Sequence, residues 1–309
     1  MRRTVCIYHA SCADGFTAAW AVRSALGADV EFYAGTYGAP PPDVTGADVV
    51  LVDFSYKRPV LERMAADARS VLVLDHHKTA QEDLAGFPLP ECESLGSETW
   101  TAHLAAVNAG TAGRNIGVPS VIFDMERSGA QLAWDFFHPG ETRPVLVDYV
   151  ADRDLWRFDL VFSREIAAWL FSHEYDFGLW HTCASMLDDA RLFKSAVERG
   201  AAIERKHHKD IAELIRICQR PMVIGNCTVP VANLPRTMAS DAAHLMAQEE
   251  VFAACYFDRA DGLRVFSLRS ARGGMDVSEI AAQYGGGGHK HAAGFQMPIG
   301  WEGDRPARA

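Results

Sequence analysis

The sequence predicts an α/β protein whose N-terminal domain is a doubly wound parallel sheet and whose smaller C-terminal α/β domain follows a long helix. Short apolar runs alternate with helical stretches up to residue 77, which is typical of a parallel sheet covered by helices on both faces. Residues 71–74 (VLVL) have no polar alternation, as expected of a strand buried on both faces. Residues 188–218 combine helical spacing with many charges, which predicts the long helix.

The N-terminal elements follow from local composition. Apolar and β-branched runs predict strands at 4–8, 30–34, 48–54, 71–74 and 120–123. Helices are predicted at 16–26, 59–69, 100–108 and 128–137, with Pro59 in a first turn and Ser128 as an N-cap. The C-terminal domain has predicted strands at 228–232, 251–257 and 264–268 and helices at 238–248 and 277–284.

These elements predict the domain organisation. A first domain is expected at 1–187, a linking helix at 188–220, a smaller second domain at 221–299 and a frayed tail at 300–309. Pro221 is expected to end the linking helix.

Composition limits the function classes. The net charge of -10 disfavours tight binding along duplex DNA. Seven cysteines without a CxxC pair are typical of reduced thiols in a cytoplasmic protein. The apolar run near the N-terminus breaks at His9 and Asp14, and no stretch reaches membrane-spanning length. We therefore expect a cytoplasmic protein with no membrane partner.

Acidic and imidazole side chains follow several apolar runs. They are His9 and Asp14, then Asp53, then Asp75, His76 and His77, and later Asp152 and Asp154. Because the carboxyl ends of parallel strands meet at one edge of a sheet, we expect these side chains to converge. Carboxylates and imidazoles without thiolate pairs favour Mn²⁺, Fe²⁺, Co²⁺ or Mg²⁺ over structural zinc. Clustered carboxylates repel one another without cations, so the pattern predicts a site for two metal ions.

These motifs resemble those of the DHH phosphoesterase superfamily. The His9 to Gly15 loop, Asp53, the Asp75-His76-His77 triplet and residues 152–156 (DRDLW) correspond in order to its four motifs. Residues 267–270 (SLRS) and 285–295 (GGGGHKHAAGF) resemble the DHH-associated domain of the branch that contains RecJ-type exonucleases and nano-RNases. The resemblance extends from about residue 4 to residue 297.

The resemblance implies roles for individual residues. Asp53 is expected to bridge two ions, Asp14, His76 and Asp152 to bind one of them, and His9 to bind the other. His77 is expected to face the scissile phosphate, with Asp75 orienting its neighbours. The implied cofactor is Mn²⁺, with two ions bound, and Co²⁺ or Mg²⁺ as alternatives.

Cys12 departs from the superfamily pattern, which usually has Asp at this position. A Cys12 thiolate ligand would shift the preference toward softer metals. Alternatively, Cys12 is a small buried residue beside a site that has lost one metal. The sequence leaves both interpretations open.

The glycine run at 285–288 also has two interpretations. Such runs are most often flexible loops. A Walker-type phosphate loop is excluded because no Gly-Lys-Ser/Thr follows. Glycine lets the backbone approach a phosphate closely, and an arginine fork binds phosphate. We therefore predict that Arg269, Gly287, Gly288 and His289 bind substrate phosphate.

The resemblance implies a metal-dependent phosphoesterase, similar to exonucleases, that hydrolyses phosphodiester bonds in short oligonucleotides or small nucleotides. Its partner would be a short single-stranded nucleic acid or a nucleotide. One alternative is a polyphosphate or pyrophosphate hydrolase. Another is a catalytically impaired nucleotide-binding protein, supported only by Cys12. A homodimer is compatible with the sequence, which does not determine the oligomeric state.

Overall fold

The structure is a computed structural model that describes residues 3–91, 99–109 and 117–304. The chain divides into two compact units, Met1–Glu204 (unit 1) and Arg205–Ala309 (unit 2). The sequence predicts four segments, whereas this division gives two units, so the predicted domain boundaries stay predictions.

Unit 1 is built on a five-stranded sheet. Its strands are β1 (Thr4–His9), β2 (Glu31–Gly35), β3 (Asp48–Val52), β4 (Ser70–Asp75) and β5 (Ser120–Phe123). All neighbouring pairs are parallel, and the order is β2-β1-β3-β4-β5. The predicted parallel sheet is confirmed. Strand order reverses between β1 and β3, and in such sheets ligands bind beyond the carboxyl ends of the strands at this switch point.

Helices cover both faces of this sheet. They are α1 (Ala13–Leu26), α2 (Arg58–Asp67), α3 (Lys78–Asp83), α4 (Trp100–Ala109), α5 (Gly129–Phe137), α6 (Val145–Asp154), α7 (Ser163–Leu170) and α8 (Phe177–Asp188). Leu72 and Leu74 of β4 lie in one apolar cluster with residues of α1 and α5, whereas Val71 and Val73 lie in another with residues of α2. Because both faces are buried, the strand carries an unbroken apolar run.

The stretch before Asp152 is a helix, which corrects its grouping with the strand ends. Leu146, Val147, Val150 and Ala151 are buried on α6, and their spacing matches one helical face. Asp152 and Asp154 therefore lie in the last turn of a helix. By contrast, the predicted N-cap of α5 is confirmed. The Ser128 hydroxyl accepts a hydrogen bond from the Gln131 amide, and Gln131 Oε1 accepts one from the Ser128 amide, forming a capping box.

The long helix α9 (Ala190–Cys218) spans the junction of the two units. Pro221 lies beyond its end, in β6 (Arg220–Ile224). The other strands of unit 2 are β7 (Cys227–Asn233), β8 (Ala253–Asp258), β9 (Leu263–Arg269), β10 (Gly287–His289) and β11 (Ala292–Pro298), in the order β10-β11-β9-β8-β7-β6. Its helices are α10 (Arg236–Met246) and α11 (Val277–Ala282).

Part of the glycine run is a strand rather than a flexible loop. Residues Gly287–His289 pair antiparallel with β11. A Cβ on Gly286 would lie 2.1 Å from the Gly294 carbonyl oxygen, and one on Gly288 would lie 2.6 Å from the Ala292 carbonyl oxygen. Close approach to β11 therefore explains glycine at these two positions.

Among the described residues, no helix has both the length and the apolar character needed to cross a membrane. The cytoplasmic location and the homodimer stay predictions.

Candidate metal centre

The ends of three adjacent strands supply the acidic and imidazole side chains. His9 is the last residue of β1, Asp53 follows β3, and Asp75 ends β4, with His76 immediately after it. β1 and β3 flank the switch point of the sheet, and β4 pairs with β3. The expected convergence of these side chains therefore occurs.

The Asp53 carboxylate lies between the imidazoles of His76 and His9. Its Oδ1 lies 3.0 Å from His76 Nε2 and its Oδ2 lies 3.5 Å from His9 Nδ1. Asp53 has φ of 53°, a left-handed conformation that is uncommon for a residue other than glycine. Such strain persists where surrounding contacts impose it, and it clusters at functional sites. Among the described residues, Asp53 Oδ2 and His9 Nδ1 have no hydrogen-bond partner.

Two groups of ligand atoms share the Asp53 carboxylate. Asp14, Asp53 and His76 form the inner group, and His9, Asp53 and His77 form the outer group. Within each group the candidate ligand atoms lie within 4.8 Å of one another. The inner side chains are at most 2% exposed, whereas the His9 and His77 side chains are 27% and 15% exposed. The arrangement therefore provides one buried position and one accessible position for a cation.

Electrostatics favour a cation in the inner group. Burial raises the pKa of Asp14 well above its usual range, and the charges of Asp154 and Asp53 raise it further. Burial opposes protonation of His76, yet the Asp53 hydrogen bond and the charges of Asp154, Asp53 and Asp14 raise its pKa to about 10. Burial also opposes ionisation of Asp53, but the contacts with His76 and His9 lower its pKa. The His76 proton thus provides positive charge among carboxylates, which a divalent ion would supply instead.

Backbone amides at the start of α5 hold the Asp14 carboxylate of the inner group. The Gly129 and Ala130 amides donate to Asp14 Oδ2 and Oδ1 at 2.6 and 3.1 Å. A Cβ on Gly129 would lie 2.3 Å from Asp53 Cβ, so only glycine fits. The sequence prediction missed this role of Gly129. The sequence feature that could have indicated this role is a glycine directly after the N-cap Ser128.

Asp75 contacts both histidines that follow it, and its predicted role in orienting them stays a prediction. Its Oδ1 accepts the His76 amide N–H at 2.7 Å and lies 2.7 Å from His77 Nδ1. A carboxylate at this distance holds the imidazole so that Nδ1 donates and Nε2 points away. Burial opposes the charged form of His77, but the Asp75 carboxylate raises its pKa overall.

Comparison with known proteins defines the fold. No protein-family model matches the sequence. An uncharacterized protein, R106, of Acanthamoeba polyphaga mimivirus is 26% identical over 316 residues, which cover 94% of this chain and 66% of the relative. A solved DHH domain of a member of the S1p family of ribosomal proteins has a TM-score of 0.53 at 14% identity, covering 95% of this chain and 82% of that one. The chain has the DHH fold. RecJ of Thermus thermophilus, solved with Mn²⁺, has a TM-score of 0.46 at 16% identity, covering 96% of this chain and 49% of that one.

In this DHH fold the acidic residue nearest to His76 from α6 is Asp154 rather than Asp152. Asp154 Oδ2 lies 3.5 Å from His76 Nε2. The Asp152 carboxylate instead accepts the amides of Asp159 and Leu160, at 3.0 and 3.2 Å. Residues two apart on a helix point about 200° away from each other, so only one of the pair faces the centre. These contacts favour Asp154 over Asp152 as the acidic ligand from α6, and Asp152 as a ligand stays a prediction.

Cys12 lies at the N-cap of α1, near the carboxylates of the centre. Burial, with the charges of Asp53, Asp154 and Asp14, raises the pKa of its thiol well above the usual value. Among the described residues, Cys12 belongs to no group of three candidate ligand atoms. Its role as a metal ligand stays a prediction.

Tyr37 lies beside the outer group, and the sequence prediction did not include it. Its ring centroid is 5.3 Å from that of His9, 4.8 Å from that of Phe54 and 6.3 Å from that of His77. It is 43% exposed. Tyr37 belongs to the loop after β2, where no motif marks it.

The predicted phosphate-binding residues lie in unit 2. Arg269 ends β9, and the sheet register aligns it with Ala292 of β11, which aligns in turn with His289 of β10. Residues directly opposite in antiparallel strands project from the same face, so Arg269 and His289 flank the small Ala292. Arg269 is held by Ser240, whose Oγ accepts from Nη2 at 2.7 Å. Gly287 and Gly288 form the edge strand beside them.

Proposed function

We propose that the protein is a metal-dependent phosphoesterase that hydrolyses phosphodiester bonds in short oligonucleotides or small nucleotides. The observation that carries the proposal is the Asp53 carboxylate, shared by two groups of candidate ligands at the switch point of a DHH fold. One carboxylate between two cation positions is the arrangement used by two-metal phosphoesterases.

The donor set fits Mn²⁺, Co²⁺ or Mg²⁺. Carboxylate oxygens and imidazole nitrogens dominate both groups, and the inner group buries more negative charge than its single imidazole offsets. Asp14, Asp53 and His76 would hold one ion, with Asp154 beside them, and His9 with Asp53 would hold the other. When bound, such ions supply an acidified water and neutralise charge on the phosphoryl oxygens.

The residues of the chain position the reaction. Asp53 keeps the two cation positions close together because one carboxylate serves both. Asp75 holds the Nδ1 side of His77, so the Nε2 edge is presented to a phosphate near the outer group. In that position His77 would stabilise charge on the phosphate or assist the leaving group.

Unit 2 would bind a part of the substrate that does not react. The same-face placement of Arg269 and His289, together with the bond from Arg269 to Ser240, supports a preformed phosphate site. Because the whole protein has a net charge of -10, a phosphate site needs positive groups close to the bound phosphate. Recognition by unit 2 and chemistry at unit 1 would then be separable by mutation.

The test is turnover by metal-stripped protein with and without added Mn²⁺. The substrate panel is a 5′-phosphorylated dinucleotide, bis-p-nitrophenyl phosphate and pyrophosphate. We expect hydrolysis of the dinucleotide only after Mn²⁺ is added, with Asp53→Asn inactive and Asp29→Asn, at an exposed carboxylate of unit 1, fully active. Undiminished hydrolysis after chelation, or hydrolysis of pyrophosphate alone, would contradict the proposal.

A further inference from the structure

The loop between α6 and α7, residues 155–162, begins directly after Asp154. Trp156, Phe158 and Phe162 have φ of 56°, 55° and 63°, so three residues other than glycine adopt a left-handed conformation within it. The proposed reaction gives them no role. Backbone strain concentrated in one short segment persists only where other contacts impose it, and it is commonest at ligand-binding and catalytic sites.

The contacts that impose the strain come from α6. The Asp152 carboxylate accepts the amides of Asp159 and Leu160. Its backbone carbonyl accepts the Arg157 amide at 2.9 Å. The Tyr149 hydroxyl donates to the Val161 carbonyl at 2.7 Å. The loop is therefore fixed in shape, and the buried Asp152 is the residue that shapes it.

Arginines of the two flanking helices stack on aromatic rings of the fixed loop. The Arg153 guanidinium lies 4.1 Å from the Trp156 ring centroid, and that of Arg164 lies 3.7 Å from the Phe158 ring centroid. The two rings are themselves 5.1 Å apart, edge to face. Both rings are only partly buried. Stacking uses the face of a guanidinium, whereas its N–H donors lie in the plane, which is the direction in which a guanidinium binds phosphate or carboxylate oxygens.

We propose that Arg153, Trp156, Phe158 and Arg164 form a subsite for a nucleotide unit of the substrate, with the base stacked on the rings and the adjoining phosphate bound by the arginines. Aromatic and guanidinium planes bind any base because every base has a π-face. The position follows from Asp154, which contacts His76 and immediately precedes this loop. The inference rests on the proposed phosphoesterase function and deepens it, because an inorganic phosphate chain has no base to stack.

The first experiment measures equilibrium binding to metal-free protein in chelator, so that it does not depend on catalysis. The probes are a 5′-phosphorylated dinucleotide and the same molecule with one base removed. Wild type should bind the intact probe ~5- to 150-fold more tightly, the range reported for stacking one base. Trp156→Ala should abolish this preference, and Trp156→Phe should keep most of it. Arg164→Gln should weaken binding of both probes and reduce its salt dependence.

Phe171→Ala is the matched control, since this ring is 43% exposed on unit 1 and lies outside the loop. It should preserve the preference. Each variant is also measured for melting temperature, because a purely structural role for Trp156 would lower stability while the base preference remained. An unchanged preference in Trp156→Ala, or loss of the preference in Phe171→Ala, would overturn the inference.

A second measurement separates this inference from the proposed function. With Mn²⁺ present, Trp156→Ala should raise the KM ratio of intact to base-free probe at least ~5-fold. If wild type binds with a Trp156-dependent base preference but hydrolyses neither probe, the proposed function fails and the subsite stands. If it hydrolyses both probes and the ratio does not change in the variant, the subsite fails and the phosphoesterase stands.

Discussion

The inner and outer cation groups share one carboxylate but differ in exposure. Asp14 and His76 of the inner group are almost fully buried, and α5 amides hold Asp14. His9 and His77 of the outer group remain partly exposed, and Tyr37 lies beside them. A buried cation exchanges slowly and organises its surroundings, whereas an exposed one is available to substrate. Under the proposed function, the difference favours a structural and catalytic role for the inner position and a substrate-facing role for the outer one.

The largest expected effect comes from removing what the two groups share. Asp53→Asn should lower kcat at least ~10³-fold, the scale of losing a major electrostatic element of a transition state. The amide is nearly isosteric, so the fold should remain. Steady-state kinetics beside circular dichroism provide the measurement. A loss of only a few-fold in a folded variant would show that Asp53 does not serve both positions.

A smaller but more selective effect is expected at the helix that holds the inner group. Gly129→Ala would place a methyl against Asp53 and the Asp14 carboxylate. We expect weaker Mn²⁺ binding and activity reduced by ~10²-fold, since misplacement by about 1 Å costs on that scale. Gly178→Ala, at a glycine in the first turn of α8 with more room, is the control. Normal metal affinity in Gly129→Ala would mean that α5 does not position the carboxylates.

The pH dependence of Mn²⁺ binding tests the inner group. In the metal-free protein His76 has a raised pKa of about 10, so an ion entering the inner group must displace its proton. Below that pKa, each unit rise in pH should therefore strengthen inner-site binding about tenfold. Protonated His76 also stabilises the metal-free protein, because its pKa in the folded state lies above the ordinary value of 6.5. This stabilisation is lost as pH rises from 6.5 toward 10. Titration with Mn²⁺ at pH 6, 7 and 8 tests this, and a pH-independent affinity would contradict it.

The smallest effects should separate the two acidic residues of α6. Asp154→Ala should weaken metal binding with little change in melting temperature. Asp152→Ala leaves two loop amides without their acceptor and should lower stability by ~1–3 kcal/mol. Calorimetry and metal titration of both variants provide the test. The reverse pattern would restore Asp152 as the ligand.

The sequence predicted those parts of the centre that depend on local pattern. His9, Asp53 and the Asp75-His76-His77 triplet each end or follow a strand of branched apolar residues, and a parallel sheet brings such ends together whatever lies between them. The choice between Asp152 and Asp154 depends on the rotational phase of a helix. Contact between Gly129 and Asp14 joins residues distant in sequence, so no local pattern encodes it. The edge strand at 287–289 was missed because glycine has low strand propensity and is accepted here only for its size.

The central claim is that Asp53 serves two metal positions at once, and titration of metal-free protein with Mn²⁺ tests it most directly when followed by electron paramagnetic resonance. We expect two ions per chain at saturation, with the spectrum of an exchange-coupled pair. His9→Ala should retain a single ion with an uncoupled spectrum, because it removes an outer ligand and spares the inner group. Saturation of the wild type at one ion, or two ions without coupling, would contradict the claim.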